Sequence, residues 1–548
     1  MISLKSNNIS NKNKMKKLIA KLAVAAGMVA AAGTMGFAQN NLGADCGCPS
    51  VSSRPLKNLS DYADVNGNLL TSTYLGCDTT YVLNAKLWVG SGLTLTIAPG
   101  AVVKGALTAV NTPQNSLIIT RGGKINAAGT TTCPIVFTSA NDPMNGTYPV
   151  GTRGEWGGIQ ILGSAQLARL GGVAITGGGT TANGEWLMEG LNADARSIFG
   201  GGSTPNNNDN SGTLRYVSIR HAGGATAANV ELNGLSLGAV GAGTTIENIE
   251  IIANDDDGIE WWGGTVNCKY LNFMFLNDDG YDIDMDYDGK MQFLFGVKAP
   301  VAVASGGESG FEWDGDEGSS TWFGGYTSAV STIKSHPVVY NATIIGNGSN
   351  TGAGGTGTTT GNPFGISMKS DAEGEVYNSI FTGFRGGINL QGGSDSSSVN
   401  YDINLVKVQC NHWVGCTFPA SKTNVQFTGA DSTKFFSEGN VNTNTIPGFD
   451  YSFNINGATN AVSDNIDVTP TTNLATTCTA PADGFFTPAN YRGAFAAGKK
   501  PWLNNWAITS IVNIVPGLAP CPTDLDGSGA TNTSDFLIFV AQFNLSCN

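Results

Sequence analysis

Charge is scarce in this chain: Asp, Glu, Lys and Arg make up 13% of its 548 residues. Histidine is scarcer, with three, and stretches carrying the 3.6-residue apolar period of an amphipathic helix are almost absent. After residue 38 no run reaches the ~18 apolar residues of a membrane-spanning helix. These shortages argue against a helical fold and against a transmembrane segment in the mature chain. Basic residues are short as well. With residues 1–38 set aside, 23 Lys and Arg face 42 acids, a net charge of −19, which excludes nucleic acid as a partner because its phosphates need a basic face.

Residues 1–38 carry six lysines and no acid, then "LIAKLAVAAGMVAAAGTMGFA" up to Ala38. A basic head, an apolar middle and small residues before the cut read as a secretory signal peptide. "MKKLIAKLAVAAG" is complete on its own, so Met15 is an alternative start. Asp45 stands where a lipobox before Cys46 needs a small residue, so no lipid anchor is expected. Ten cysteines, an even number, then read as disulfides of an oxidising compartment. Cys410 and Cys416 in "CNHWVGC" are expected to staple a loop, and Cys521 and Cys547 to bracket a small terminal unit. A metal site from Cys410, His412 and Cys416 lacks a fourth ligand.

What the chain has in abundance is glycine, 75 residues, set between short alternating apolar runs: strands joined by tight turns. The runs repeat. "TTIENIEIIANDDDGIEWWGG", "TVNCKYLNFMFLNDDGYDIDMDYDG", "KMQFLFGVKAPVAVASGGESGFEWDG" and "EGEVYNSIFTGFRGGINLQGG" share one grammar of strand, turn and second strand. The glycine opening the second strand falls at Gly234, Gly258, Gly280, Gly310, Gly365 and Gly387, spacings of 24, 22, 30, 55 and 22. The long intervals contain insertions such as "GNGSNTGAGGTGTTTGN". A unit of about 22 residues is one coil of a parallel β-solenoid, which buries its apolar face only by stacking on its neighbours. Behind each glycine the first residues (Leu235, Ile259, Tyr281, Phe311, Ile366, Ile388) and the third (Leu237, Trp261, Ile283, Trp313, Met368, Leu390) are expected to point inward. The second (Ser236, Glu260, Asp282, Glu312, Ser367, Asn389) and fourth (Gly238, Trp262, Asp284, Asp314, Lys369, Gln391) are expected to face solvent.

On these motifs the chain resembles the right-handed parallel β-helix proteins, the architecture of pectate lyases, polygalacturonases, tailspikes and many bacterial surface proteins. "LTIAPGAVVKG", "RGEWGGIQILG", "SGTLRYVSIRHAGG" and "YRGAFAAGKKPWLNNW" are similar to a group of secreted bacterial β-helix proteins without an assigned activity. The resemblance implies an all-β, right-handed parallel β-helix, placed outside the cell or on the outer surface of a bacterium. The expected organisation is a cap or linker over 39–74, the β-helix over 75–395, irregular coils and a cap over 396–515, and a terminal module over 516–548.

Between Asp255 and Glu317 stand fifteen acids and three lysines. Glu260, Asp282 and Glu312 form a column on successive coils, with Asp284 and Asp314 beside it. Three readings compete. The first is a solvated acidic face that keeps the solenoid soluble. The second is a calcium site or polar-ligand groove for polysaccharide or cell-surface components, with Trp262, Tyr287, Trp322 and Phe323 as stacking surfaces. The third is catalysis. "NDDDG" and "NDDG" resemble the first two motifs of polygalacturonases, whose "GHG" and "RIK" are missing here. An inverting hydrolase would pair Glu260 with Glu312, roughly 9.6 Å apart on alternate coils. A lyase would need calcium and a base, for which Lys369 and Arg385 are the candidates. The tail "DLDGSGATNTSD" sets Asp524, Asp526, Ser528, Asn532 and Asp535, with the Ala530 carbonyl, at the ligand positions of an EF-hand-type calcium loop, and Gly529 at its sharp turn. It resembles half of a dockerin. The combined expectation is a secreted or surface β-helix stabilised by Ca2+, acting in adhesion or glycan binding, with a polysaccharide lyase or hydrolase as the alternative.

Overall fold

The computed structural model describes residues 41–508, apart from residues 299–308, 316–334, 347–363, 392–396, 448–454, 457–460, 463–467 and the single positions 113, 168, 170, 229, 385, 417, 423 and 424. Trp322, Phe323, Arg385, the six tail residues from Asp524 to Asp535, Cys521, Cys547 and the segment read as a signal peptide lie outside the described residues. No helix among the described residues is long and apolar enough to cross a membrane.

The chain winds as a parallel β-helix. An eleven-stranded parallel sheet forms one face and runs from Leu87–Val89 through Ile159–Leu162, Leu235–Val240, Ile259–Gly264, Tyr281–Asp284, Phe311–Asp314, Phe364–Lys369 and Gly386–Leu390 to Phe418–Lys422, closing on an antiparallel strand. A seventeen-stranded ladder supplies the remaining two faces, which join within long strands such as Gly212–Arg220, Thr245–Ile252, Cys268–Met274, Lys290–Val297 and Val338–Ile345. Each of these strands bends at one left-handed residue: Tyr216, Asn248, Tyr270, Phe293 and Asn341, with φ between 51° and 60°. The ladder register skips that residue, as between Arg215↔Glu247 and Val217↔Ile249. Strand pairing begins at Leu56–Asn58 and Thr73–Leu75, within the segment expected to be a cap.

The column glycines have a steric cause. A Cβ on Gly258 would lie 2.5 Å from the Gly280 carbonyl oxygen, one on Gly280 2.6 Å from that of Gly310, and one on Gly365 2.9 Å from that of Gly387. Each coil passes over the next too closely for a side chain at that corner. This contact holds the coils in phase. Leu235, Ile259, Tyr281, Phe311, Ile366 and Ile388 all enter the lumen, as do Trp261, Ile283, Trp313 and Met368, in one continuous core. Full burial of a side chain of this size contributes roughly 1.5–3 kcal/mol, and the stack repeats that gain coil after coil.

The outward columns depart from expectation. They point away from the lumen, yet much of that surface is covered. Residues 163–211, an insertion between Ile159–Leu162 and Gly212–Arg220, lay Leu167, Trp186, Met188, Leu191 and Phe199 against Trp88, Ile118, Leu162 and Trp262. Arg196 sits 4.1 Å over the ring of Trp88, and Arg121 pairs with Glu185 at 2.6 Å. On the bent flank a C-terminal strap returns across the coils. Asn378 Nδ2 donates to the Cys478 carbonyl at 2.9 Å, Asn341 Nδ2 to that of Tyr491 at 2.8 Å, and the Ile508 amide to Glu250 Oε2 at 2.9 Å.

The disulfides among the described residues are Cys46–Cys133, Cys48–Cys77 and Cys410–Cys478. Cys410 therefore staples the strap to the solenoid rather than closing a loop with Cys416, which is a buried free thiol like Cys268. The local reading failed because the strap approaches from 68 residues away.

Candidate functional site: a buried carboxylate row

On the outer face of the eleven-stranded sheet the register aligns Gln160, Ser236, Glu260, Asp282, Glu312, Ser367, Asn389 and Ser421 in one rung-to-rung line. The three expected acids therefore stand on three successive coils, with neutral polar residues above and below. They do not form a solvated face: Glu260 is 4% exposed, Asp284 and Asp314 are buried, and Asp282 and Glu312 are half-buried.

Sequence reasoning named this column and missed the one beside it. Asp257 and Asp279 directly precede Gly258 and Gly280, at the corner where the coils approach most closely. The Asp279 amide donates to Asp257 Oδ1 at 2.8 Å, and the Asp257 amide to Asn233 Oδ1 at 3.2 Å. The 22-residue repeat of "DDG" was the available signal. The two columns converge. One oxygen each from Asp256, Asp257 and Asp278 lies within 4.8 Å of the others; the same holds for Asp257, Glu260 and Asp282, and for Asp282, Glu312 and Asp314. Asp257 and Asp282 each belong to two triads, so the three groups form a continuous row.

The electrostatics follow from that crowding. Burial, reinforced by neighbouring carboxylates, pushes Asp256, Asp257, Glu260, Asp279 and Asp282 well above the ordinary carboxylate range. Burial also lifts Glu312 to about 7, against the opposing pull of Lys369. Partners are few. Asn233 Nδ2 donates to Glu260 Oε2, and Lys298 Nζ donates to the Asp278 carbonyl. Oδ1 of Asp279 and Oδ1 of Asp282 are buried with no hydrogen-bond partner among the described residues.

Lys369 closes the row on the following coils, 2.7 Å from Glu312 Oε2 and 3.3 Å from Asp314 Oδ2. Burial opposes its charge, but Asp314 and Glu312 prevail and hold its pKa above the ordinary lysine value. Beside the row, Arg169 of the insertion is 3.8 Å from Asp284 Oδ1. The aromatic platform does not form as expected. Trp262 is 3% exposed beneath the insertion. Tyr287 lies inside the lumen, with its hydroxyl 2.7 Å from the Val266 carbonyl and its ring 5.7 Å from Trp261.

Oxygen donors alone, shared between adjacent groups and with buried oxygens unmatched, suit a hard divalent cation. They leave nothing for a soft one. A parallel solenoid with such a row on its outer sheet invites comparison with known β-helices, and a family model described as the pectate-lyase-like β-helix domain matches residues 67–453, well over half of the sequence. The chain belongs to the pectate-lyase-like β-helix family. That membership gives the fold and leaves the chemistry to the site, because one β-helix hosts many activities. Among solved structures, a Yersinia enterocolitica family 28 exopolygalacturonase aligns over 71% of this chain and 78% of its own, at 11% identity and a TM-score of 0.23. So loose a likeness supports no argument about this β-helix. The comparison with curated proteins returns no match.

Proposed function

We propose that the protein is an extracellular, cation-binding β-helix whose carboxylate row holds Ca2+, and that it serves in surface adhesion or polysaccharide binding. One observation carries this reading: three carboxylate triads linked through Asp257 and Asp282, with buried oxygens at Asp279 and Asp282 that have no hydrogen-bond partner among the described residues. A bare row of this kind is costly, since each buried like charge raises the free energy of the next. Calcium would offset that cost and, at the triad of half-buried Asp282 and Glu312 with Asp314, offer its remaining coordination positions to the carboxylates or hydroxyls of a glycan. Three disulfides support an oxidising compartment. The tail loop from Asp524 to Asp535 belongs to the same proposal as a second, dockerin-like calcium site.

Two observations weigh against the lyase or hydrolase alternative. Lys369 is held as a cation by two carboxylates and is a poor base. Glu260 is enclosed and tied to Asn233, which leaves it no approach to a substrate.

The test is calcium calorimetry on the protein, on D282N, and on a D524A/D535A double variant, with turnover measured on uronate and neutral polysaccharides. The expected result is loss of one class of sites in each variant and no product release. Calcium binding unchanged in D282N would overturn the site assignment. Turnover abolished by D282N would overturn the binding role.

A further inference from the structure

The first coil carries a cavity that takes no part in the carboxylate row. Residues 64–68, "DVNGN", fold back on themselves: Asp64 Oδ1 accepts from the amides of Asn66 and Asn68 at 2.9 Å each, and Asp64 Oδ2 from Asn68 Nδ2 at 2.9 Å. Gly67, with φ at 79°, rests on the Lys86 carbonyl oxygen and leaves no room there for a Cβ. The Trp88 amide donates to the Gly67 carbonyl and the Leu69 amide to the Trp88 carbonyl, both at 2.9 Å. From the insertion, Arg196 Nη1 donates to the Asn66 carbonyl at 3.0 Å and to Asn68 Oδ1 at 2.7 Å. The loop is thus held from two sides. Between it and residues 85–87 lies a cavity of about 280 Å3, with Ser60, Asp64 and Lys86 among its polar walls and Val65, Ala85 and Leu87 among its apolar ones.

The cation of this cavity is left over. Asp64 is taken up by its own loop, and Asp194 gives Oδ1 to Arg196 Nε at 3.0 Å and Oδ2 to Arg196 Nη2 at 2.7 Å. Lys86 has no hydrogen bond or ion pair among the described residues. Burial holds its pKa below the ordinary lysine value, against the pull of Asp194. A half-buried ammonium without a counter-ion is costly, and this one lines a cavity. One ammonium matches one negative charge, and the second charge of a dianion would face Asp64. Ser60 Oγ accepts from Asn84 Nδ2 at 3.0 Å, which leaves its own hydrogen to donate, and Asp64 Oδ2, with one bond, has room for another. Both are partners for hydroxyl groups. Since a cavity of roughly 150 Å3 holds one benzene ring, 280 Å3 admits about a dozen non-hydrogen atoms.

We propose that this cavity is a binding site for a small hydroxylated monocarboxylate, its carboxylate on Lys86 and its hydroxyls on Ser60 and Asp64. The site is independent of the calcium reading of the row and needs no metal. Ser60, Val65 and Ala85 are exposed, so its mouth opens to solvent. A ligand of about a dozen atoms with one charge contact is expected to bind with a Kd of about 1–3 mM.

The experiment is saturation-transfer difference NMR of sodium D-gluconate with the full-length protein, with D-glucose and glucose 6-phosphate for comparison, on the native chain, K86Q, A85L and K57Q. Lys57 lies 4.3 Å over the ring of Tyr62 and is a cation of the same coil outside the cavity. Gluconate is expected to bind the native protein and K57Q alike, and K86Q and A85L at least tenfold more weakly; glucose and glucose 6-phosphate are expected to bind the native protein at least tenfold more weakly than gluconate. No transfer to gluconate in the native protein, or equal transfer in K86Q, overturns the site. An equal loss in K57Q would show a general attraction to surface cations and overturns it as well. Glucose or glucose 6-phosphate binding as tightly as gluconate overturns the monocarboxylate assignment. A85L fills the cavity from an exposed position and leaves Lys86 in place, so undiminished binding in A85L refutes the proposal even if K86Q fails to fold, which its melting temperature reports.

Discussion

Replacing His336 by Asn should weaken the middle of the solenoid at pH 6 and leave it almost unaffected at pH 9.5. His336 precedes the strand Val338–Ile345 and reaches two acids of the next coil, with Nδ1 3.1 Å from Glu373 Oε2 and Nε2 3.6 Å from Glu375 Oε1. Lys407, one coil further on, lies 2.6 Å from the same Glu375 oxygen. The group thus clips three successive coils where the glycine spacing stretches to 55 residues. Hydrogen bonds to Glu373 and Glu375 lift His336 to about 9, and those from His336 and Lys407 hold Glu375 down to about 2. Because the histidine is raised above its unfolded value of 6.5, its contribution is complete below pH 6.5 and is lost as pH rises through 9. A difference of about 2.5 pH units is worth at most about 3 kcal/mol, somewhat less for a ring 30% exposed. In a solenoid that energy acts locally. The assay is the ratio of native to variant protection for amides of Val338–Ile345 and Gly374–Tyr377, measured at each pH so that intrinsic exchange rates cancel. The ratio should approach a hundredfold at pH 6 and fall to near one at pH 9.5. An equal loss at both values would show that the imidazole acts by packing and refute the charge argument.

Reducing the link between the strap and the solenoid with C478S should cost about 4 kcal/mol, from the closure entropy of a 68-residue separation; the melting temperature of the variant and a peptide map joining Cys410 to Cys478, unchanged in C416A, check it. G258A should cost roughly 1–3 kcal/mol by forcing apart coils whose carbonyl stands 2.5 Å from the new Cβ, whereas G90A, with nothing within 4 Å, should stay within about 0.5 kcal/mol; urea unfolding separates the two. K369M should tighten calcium at the Asp282, Glu312 and Asp314 triad by about tenfold or more, because it removes a resident cation held by Glu312 and Asp314, and calorimetry reads the change directly.

The repeat was legible because one steric contact recurs. Gly234, Gly258 and Gly280 each lie too close to the next coil to carry a side chain, so glycine marks the period in the sequence itself, and the residues behind it alternate as the pleat requires. The alignment of Glu260, Asp282 and Glu312 followed from counting forward from those glycines, and the register has them paired. Burial of the same acids was not legible. On the neighbouring column, at Trp262 and Asp284, cover comes from residues 163–211, which have no counterpart in the repeat and fold over strands far along the chain. Trp262 illustrates the point: its position in the outward column was read correctly, but whether that column meets water or Met188 and Phe199 is decided by the insertion. Cys410 is the same case on the opposite flank, since its partner arrives on the returning strap. Local periodicity encodes the coil, and the segments that cover it carry no period to read.

The placement of the acids then separates a site from a charged surface. A face made acidic for solubility would spread its charge along the whole solenoid and leave it in water. Here the same line of the sheet carries Gln160 and Ser236 before the acids and Ser367, Asn389 and Ser421 after them, and the charge is confined to three coils. Close stacking makes that confinement expensive. The glycine corner that brings coils together also brings Asp257 under Asp279 and Glu260 under Asp282, so geometry that stabilises the core acts against the charges. Lys369 at one end and Asn233 at the other answer part of that conflict, and between them lie Oδ1 of Asp279 and of Asp282, which have no hydrogen-bond partner among the described residues. Acids buried and aligned in the middle of an otherwise neutral line are the arrangement on which the calcium proposal rests.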